Sequence, residues 1–319
     1  MNSLGLHHEG VKILEHEHVT WVDVQNPSKE VLSELEQKYQ LHPIHLLEST
    51  QKIQHNEVDS EKEYLFFVMH YPVASGQADE LIFGQVGIFL GKNFLITIRN
   101  AASASIVNLY EEYQHADHAR QYFKHGAGYI LYVLIGRLLN EISMMTDVVN
   151  TELDEVEDLV FGNSKSDALR IGELRQKIVK LTRIIGPKRL LLEDLADQIN
   201  SFTHKDLAKY YANNTKAANR LWEVIQEAKE TVEIYKDADF TTSTEQTNQI
   251  LAVLTILFTL TIPITVIASV YGMNVNLPGG IMLVPWKFLG TYTTLIVLVA
   301  LSLLLAFSMF LYLRVKKWF

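Results

Sequence analysis

The 319-residue chain contains no cysteine, so no disulfide can staple its fold. That absence suits a reducing cytosol. Acid is missing from the whole C-terminal part: all 37 Asp and Glu precede residue 250. Of the 28 Lys and Arg, 24 also precede residue 250, which gives residues 1–249 a net charge of −13. The last 70 residues carry only Lys287, Arg314, Lys316 and Lys317, a net of +4. A single uniformly soluble globule is thereby excluded. The acidic balance before residue 250 also argues against a nucleic-acid surface. The opening MNSLGLHHEG has no apolar stretch, so no signal peptide is expected.

The acid-free part holds two long uncharged runs, Ile250 to Val270 and Thr291 to Leu313. Each is near the ~20 residues that a helix needs to cross ~30 Å of hydrocarbon. Arg314, Lys316 and Lys317 directly follow the second run, whereas the loop between the runs has only Lys287. Positive charge stays inside, so both termini are expected in the cytoplasm and residues 271–290 outside. Trp286, Tyr292, Tyr312 and Trp318 stand where interfacial aromatic anchors belong.

The acidic part changes character along its length. Residues 1–125 alternate strand and helix patterns, which predicts an α/β domain. Val19 to Val24 and Tyr64 to Tyr71 read as strands. Ile82 to Leu90 and Phe94 to Ile98 flank Gly91-Lys92-Asn93, a hairpin signal. Asn26-Pro27-Ser28 opens a helical run to about Tyr39, with proline expected at an early helical position. From Gly126 the pattern is helical: one helix to Phe161, a break at 163–167, and a second from Ala168 to Ile199 with Pro187 as a kink. Glu152 to Asp158 reads as a solvated helix end. No Gly or Pro interrupts the chain from Lys205 until Pro263. One helix to Val270 would run roughly 100 Å at ~1.5 Å per residue. The other reading is two helices, broken near Ala238 to Thr242, where helix propensity is poor.

Catalytic constellations are missing, and no enzyme is expected. Gly87 to Asn93 is one residue short of a phosphate loop, and Asn93 stands where the magnesium-binding hydroxyl belongs. His16-Glu17-His18-Val19-Thr20 fails the zincin pattern at Thr20. His16 and His18 would share a strand face, for which a solvated strand edge is the plainer reading than a metal site. His7 and His8 belong to the chain's opening segment.

The first run ends in Tyr271-Gly272-Met273-Asn274. With two terminal spans, an acidic body, a long stalk and the ending Lys316-Lys317-Trp318-Phe319, this motif resembles the CorA family of divalent-cation transporters. The resemblance implies a funnel-shaped homopentamer with the first span lining a central pore. It implies transport of Mg2+, with Co2+ and Ni2+ also carried by relatives, and divalent ions both as substrate and as regulatory ligand, without another cofactor. It further implies six segments: an α/β cytoplasmic domain (1–125), long helices and stalk (126–249), a pore-lining span (250–270), an external loop (271–290), a second span (291–313) and a basic cytoplasmic tail (314–319). The membrane is expected to be a bacterial-type plasma membrane.

Within the first span, Asn248, Leu251, Thr255, Phe258, Ile262, Thr265 and Ser269 step by three and four. At ~100° per residue they occupy a stripe about 100° wide. Such a stripe suits copies meeting around an axis, or ordinary packing by small polar residues. The resemblance favours the pore. It makes Asn248 a cytoplasmic amide ring and Leu251 and Leu254 an apolar gate. Ile262 becomes a second constriction and Thr265 a pore threonine. Pro263 matches a span proline expected to loosen the helix. Tyr271, Gly272, Met273 and Asn274 become the selectivity filter, in which Gly272 lets the backbone turn. Neutral Asn274 amides can accept hydrogen bonds from the waters that Mg2+ gives up reluctantly, without holding the ion too tightly to leave.

The resemblance also pairs Glu48 with Asp237 as regulatory carboxylates between neighbouring subunits. Two facing carboxylates repel when empty and are joined by a divalent ion. Three positions depart from relatives. Ser269 replaces a glycine, Glu48 replaces Asp, and the outer loop has no acid. Two further readings stay open: a Zn2+-selective transporter of the ZntB branch, which usually departs at the motif's Met whereas this chain keeps Met273, and a membrane-anchored divalent-ion sensor without conduction.

Overall fold

The computed structural model describes residues 9–16, 18–51, 57–73, 81–114, 122–162, 168–273, 275, 277, 286, 288–290 and 292–316. The chain divides into two compact units, Met1–Lys236 and Asp237–Phe319.

The first unit opens with β1 (Val11–His16) and β2 (Val19–Gln25), paired antiparallel with His16 opposite Val19. His16 and His18 therefore do not share a strand face. His16 ends β1, its ring edge-on to Phe123 with centroids 5.7 Å apart, and His18 lies exposed in the turn. The strand β1 carried too few apolar residues to be read from the sequence. Helix α1 (Lys29–Tyr39) is capped by Ser28, whose Oγ accepts from the Val31 amide at 3.4 Å. Pro27 stands before that cap rather than inside the first turn. Serine takes the cap because its oxygen satisfies an amide that the helix leaves without a partner.

Helix α2 (Pro43–Thr50) follows, then the short β3 (Asp59–Ser60), β4 (Tyr64–Val73), β5 (Ile82–Gly91) and β6 (Phe94–Arg99). The turn Gly91 to Asn93 joins β5 and β6 as a hairpin, with Leu90 opposite Leu95. The six strands lie in the order β1-β2-β6-β5-β4-β3, and only the β2–β6 pair is parallel. Alternation along the strands sends residues to two faces. Val22, Val24, Phe66, Phe89, Ile96 and Ile98 form one core with Val31 and Leu35 of α1 and Leu46 of α2. Helices α3 (Ala104–Gln114) and α4 (Ala127–Phe161) also pack on the sheet. There Trp21 meets Tyr110 and Tyr113 edge-on. Gly126 takes φ +89° before α4, a conformation open to glycine.

Helix α4 buries Ile130, Leu134, Leu138, Ile142, Thr146, Val149, Leu153 and Val156 at three- to four-residue spacing. Helix α5 (Ala168–Gln198) buries Leu174, Ile178, Leu181, Ile185 and Leu192 and is assigned without interruption across Pro187. The expected break at 163–167 lies outside the described residues, as do His7, His8 and Glu17. Helix α6 is one helix of 65 residues, Ala208–Gly272. Poor local propensity near Ala238 to Thr242 does not break it, because propensity is a weak prior against a continuous hydrogen-bond ladder. Helix α7 (Thr293–Val315) ends the described chain.

Candidate functional site

Within the second unit, two helices are long and apolar enough to cross a membrane: the C-terminal part of α6, and α7. Between spans small residues permit close approach, because apolar surface alone gives little drive in lipid. In α7 the buried positions are Thr293, Ser302 and Ala306. In α6 Thr259 is buried, and Ala252, Ile256, Pro263 and Ile267 are half-buried along the same face. Leu260 of α6 shares an apolar cleft with Leu303, Ala306, Phe307 and Phe310 of α7.

The stripe read from the sequence lies elsewhere on α6. Asn248, Leu251, Thr255, Phe258, Ile262, Thr265 and Ser269 are all exposed in the single chain, as is Leu254. At ~100° per residue the stripe centres about 110° from the packed face. Large apolar side chains stay open along it: Leu251 is 54%, Phe258 60% and Ile262 53% exposed. The threonine hydroxyls are not free to swing. Thr255 Oγ1 donates to the Leu251 carbonyl at 2.8 Å, and Thr265 Oγ1 to the Thr261 carbonyl at 2.9 Å.

At the outer end of α6, Tyr271 is half-buried and Gly272 is the last helical residue. Gly272 has no left-handed φ. The amide of Met273 still reaches the Val270 carbonyl, at 3.3 Å. Met273 is exposed. Asn274 lies outside the described residues, as do Lys287, Lys317, Trp318, Phe319 and most of the loop between the spans.

The first unit positions Glu48 through α2. His42 caps that helix, its Nδ1 accepting from the Ile44 amide at 3.2 Å, with Pro43 in the first turn. The Tyr64 hydroxyl accepts from the His42 amide at 2.9 Å and lies 2.9 Å from His45 Nδ1. His45 Nε2 sits 3.2 Å from the Asp59 carboxylate. A carboxylate needs a donor there, so Nε2 carries the proton and Nδ1 accepts from the tyrosine hydroxyl. His45 also stacks on Phe66, with centroids 4.6 Å apart. Burial lowers the His45 pKa, against the pull of Asp59. Burial likewise raises that of Tyr64.

The Glu48 carbonyl accepts from Gln85 Nε2 at 2.8 Å. Its neighbour Ser49 presses on Gly87 of β5, where a Cβ would lie 2.3 Å from that of Ser49. These supports were missed in the sequence. Gly87 alone left a signal, as a glycine inside an otherwise continuous strand pattern. Asp237 is exposed on α6, its carbonyl accepting from Thr241 Oγ1 at 2.8 Å. Among the described residues no group of three or more His, Asp or Glu side chains gathers as a metal cage within the single chain.

The family model of the CorA-like Mg2+ transporter protein matches residues 16–317. The chain belongs to this family. It is 23% identical over 301 residues to the cobalt/magnesium transport protein CorA of Thermotoga maritima, covering 94% of this chain and 83% of that one. The fold is similar to the complete CorA magnesium transporter of Methanocaldococcus jannaschii, with a TM-score of 0.76 at 20% identity, over 96% of this chain and 93% of that one. The ZntB cytoplasmic domain of Vibrio parahaemolyticus also shares the fold. Its TM-score is 0.60 at 14% identity, over 72% of this chain and 90% of that one. Membership makes the chain a membrane-embedded divalent-cation transporter, with two apolar C-terminal helices as its candidate spans.

Proposed function

We propose that the chain assembles as a homopentamer and admits Mg2+, with Co2+ and Ni2+ as further substrates, through a pore lined by the exposed stripe of α6. The observation that carries this reading is the separation of two faces on one helix. The face bearing Thr259 is taken by packing, while the stripe from Asn248 to Ser269 is left open in the single chain. Copies meeting on that stripe would enclose a mixture of polar and apolar rings.

In this reading Asn274 and the carbonyls of Tyr271 to Met273 form the outer filter, and Leu251 and Leu254 form a gate narrow enough to exclude water. Glu48 and Asp237 of neighbouring subunits hold a divalent ion that keeps the pore shut when internal Mg2+ is high. Both termini lie in the cytoplasm, and the six segments keep the boundaries expected from the sequence. The outer loop carries no acid, so it draws cations by carbonyl and amide dipoles alone. Weaker steering at low salt follows.

The test is uptake of Mg2+, Co2+, Ni2+ and Zn2+ into liposomes carrying the full chain, each with and without a pH gradient. Uptake of Mg2+ that falls at least about tenfold in Asn274→Ala is expected, since the filter supplies the ion's main contacts. Undiminished flux through that variant removes the filter assignment. Flux of Zn2+ alone, dependent on the pH gradient, replaces the Mg2+ reading. Ion binding with no flux at all leaves only a sensor.

A further inference from the structure

The cleft between α6 and α7 lies apart from the stripe. Its volume is ≈ 530 Å³, within the ~300–1,000 Å³ of sites that hold small organic ligands. Five apolar residues line it, and no polar side chain does. Ala306 of α7, 3% exposed, is its floor. Leu260 of α6 and Leu303 and Phe307 of α7, 40%, 57% and 62% exposed, are its rim, with half-buried Phe310 at one end. Leu260 lies about 170° round α6 from the centre of the open stripe, at ~100° per residue. Copies that meet on the stripe therefore leave the cleft facing outward. Five residues are also too few for a contact between copies, since a standard interface takes about 20–30 a side. What then surrounds the cleft in a membrane is lipid chain.

The cleft also runs toward a charge. Leu303, Phe307, Phe310 and Arg314 fall within about 60° of one another on α7, at ~100° per residue. Arg314 is exposed in the last turn of the helix, four residues beyond Phe310. At ~1.5 Å per residue the cleft extends along the axis from about 6 Å to about 16 Å from Arg314. One leaflet of a bilayer holds its acyl chains about 15 Å deep, half of the ~30 Å core. A chain lying in the cleft therefore has its headgroup at the level of Arg314. The guanidinium is a planar fork of donors that matches phosphate, and its stem can lie along apolar surface. No Asp or Glu occurs on α7 or after it, so the helix supplies no anion of its own.

We propose that this cleft is a binding site for an anionic phospholipid: one acyl chain lies over Ala306 between Leu260 and Phe307, and Arg314 holds the phosphate. The inference rests on the reading of the stripe as the face on which copies meet. The lipid fills the angle between the two spans from the side away from the stripe, and so ties α7 to the helix that carries it. Charge selects the headgroup. A zwitterionic lipid offers the same chains but carries a cation beside its phosphate, which weakens the pull of Arg314.

The full chain in detergent is melted at one fixed heating rate with added dioleoyl phosphatidylglycerol, dioleoyl phosphatidylcholine or glycerol 3-phosphate. Phosphatidylglycerol is expected to raise the midpoint at least about 4 °C more than phosphatidylcholine does, since a ligand stabilises the form that binds it. Arg314→Gln is expected to lose that difference and Arg314→Lys to keep part of it. Leu303→Trp, which fills the cleft from its rim, is expected to lose the response. Leu304→Trp, at a position 65% exposed and off the cleft, is expected to keep it. Equal rises with the two lipids, or an unchanged response in Arg314→Gln or Leu303→Trp, overturn the proposal. An equal rise with glycerol 3-phosphate overturns it too, by making the site one for a free anion.

Thiol labelling tests a second copy as the occupant, on a chain that has no cysteine of its own. Leu303→Cys, Leu304→Cys and Phe258→Cys in liposomes are treated with a membrane-soluble maleimide. In phosphatidylcholine Leu303→Cys is expected to react within about threefold of the rate of Leu304→Cys, and in phosphatidylglycerol at least about threefold more slowly than that. Phe258→Cys, on the stripe, is expected to be protected in both. Protection of Leu303→Cys in both lipids assigns the cleft to a second copy and overturns the lipid site, while protection of Phe258→Cys keeps the stripe reading. Reaction of Phe258→Cys at the rate of Leu304→Cys overturns the stripe reading and the lipid site with it.

Discussion

Replacing Asp23 by Ala would leave the Arg99 guanidinium buried without its counter-charge. The pair joins β2 to β6 across the parallel contact of the sheet. Asp23 is 1% and Arg99 2% exposed. Arg99 Nη2 lies 3.0 Å from Asp23 Oδ2, and Arg99 Nε 3.2 Å from Oδ1. Thr97 Oγ1 donates to Oδ1 at 2.8 Å, and Trp21 Nε1 donates to that hydroxyl at 3.2 Å. Arg99 Nη1 reaches the Ala101 carbonyl at 3.0 Å. Removing one member of such a buried pair costs about 3–5 kcal/mol, mainly for the charge left behind. At roughly 2–4 °C per kcal/mol for a unit of this size, the midpoint of thermal unfolding falls by roughly 6–20 °C. The assay is a melt of the full chain in detergent at one fixed heating rate, followed by tryptophan emission, to which Trp21 reports from inside the network. Arg99→Met and the double variant complete the cycle. The double variant is expected to lose less than the two single losses added together, because it leaves no orphaned charge. A midpoint within about 2 °C of the parent for Asp23→Ala, or strict additivity in the double variant, would refute the reasoning.

Gly87→Ala should force α2 away from β5, since its Cβ would stand 2.3 Å from Ser49 Cβ and 2.9 Å from Ser49 Cα. A loss of about 1–3 kcal/mol is expected, with faster hydrogen exchange confined to residues 43–50, and unchanged exchange there would contradict the packing argument. Lys188 is pushed down to about 7 by burial, below its ordinary 10.5. Between those values the unfolded chain holds the proton that the folded chain gives up, so stability rises with pH across the window. Lys188→Met is therefore expected to stabilise by a few kcal/mol near pH 7, on the order given by the linkage of that shift, with the gain shrinking by pH 10. A gain independent of pH would rule the burial cost out. His70 is pushed down to about 4, first by burial and then by the charge of Lys188. Stability tied to it is present above pH 6.5 and drains away as pH falls toward 4, and His70→Gln should flatten that acid-side loss in a series of melts.

How much of this could be seen beforehand depended on the range of the signal. The Gly91 to Asn93 turn, the helical run of α1 and the long apolar periods of α4 are local patterns, and each recurs in the structure. The strand β1 and helices α2 and α3 were not legible. Their sequences are short and mixed, and long-range packing rather than propensity decides them. The two-histidine strand face failed because a turn intervenes between His16 and Val19. Around Glu48, the residue itself entered through its resemblance to a known family. Its supports did not, since Tyr64, Asp59 and Gln85 are remote in sequence from α2. The continuity of α6 was left between two readings. Threonine-rich composition near residue 241 spoke for a break, whereas the helix runs through it.

By itself the sequence determined the partition of the molecule. Charge and apolar run length are properties of the chain in order, and transfer energies act on them wherever the chain folds. An acidic aqueous body and two acid-free spans therefore needed no coordinates. The tertiary structure alone decided which strands are neighbours, with β2, which ends at Gln25, beside β6, which starts at Phe94. It also decided which face of α6 is used up by packing. A helical period shows that a stripe exists, but which face is occupied depends on side chains brought from elsewhere. With Thr259 buried and its neighbours half-buried, the stripe from Asn248 to Ser269 stays open, together with Val253, Leu257 and Ile264 beside it.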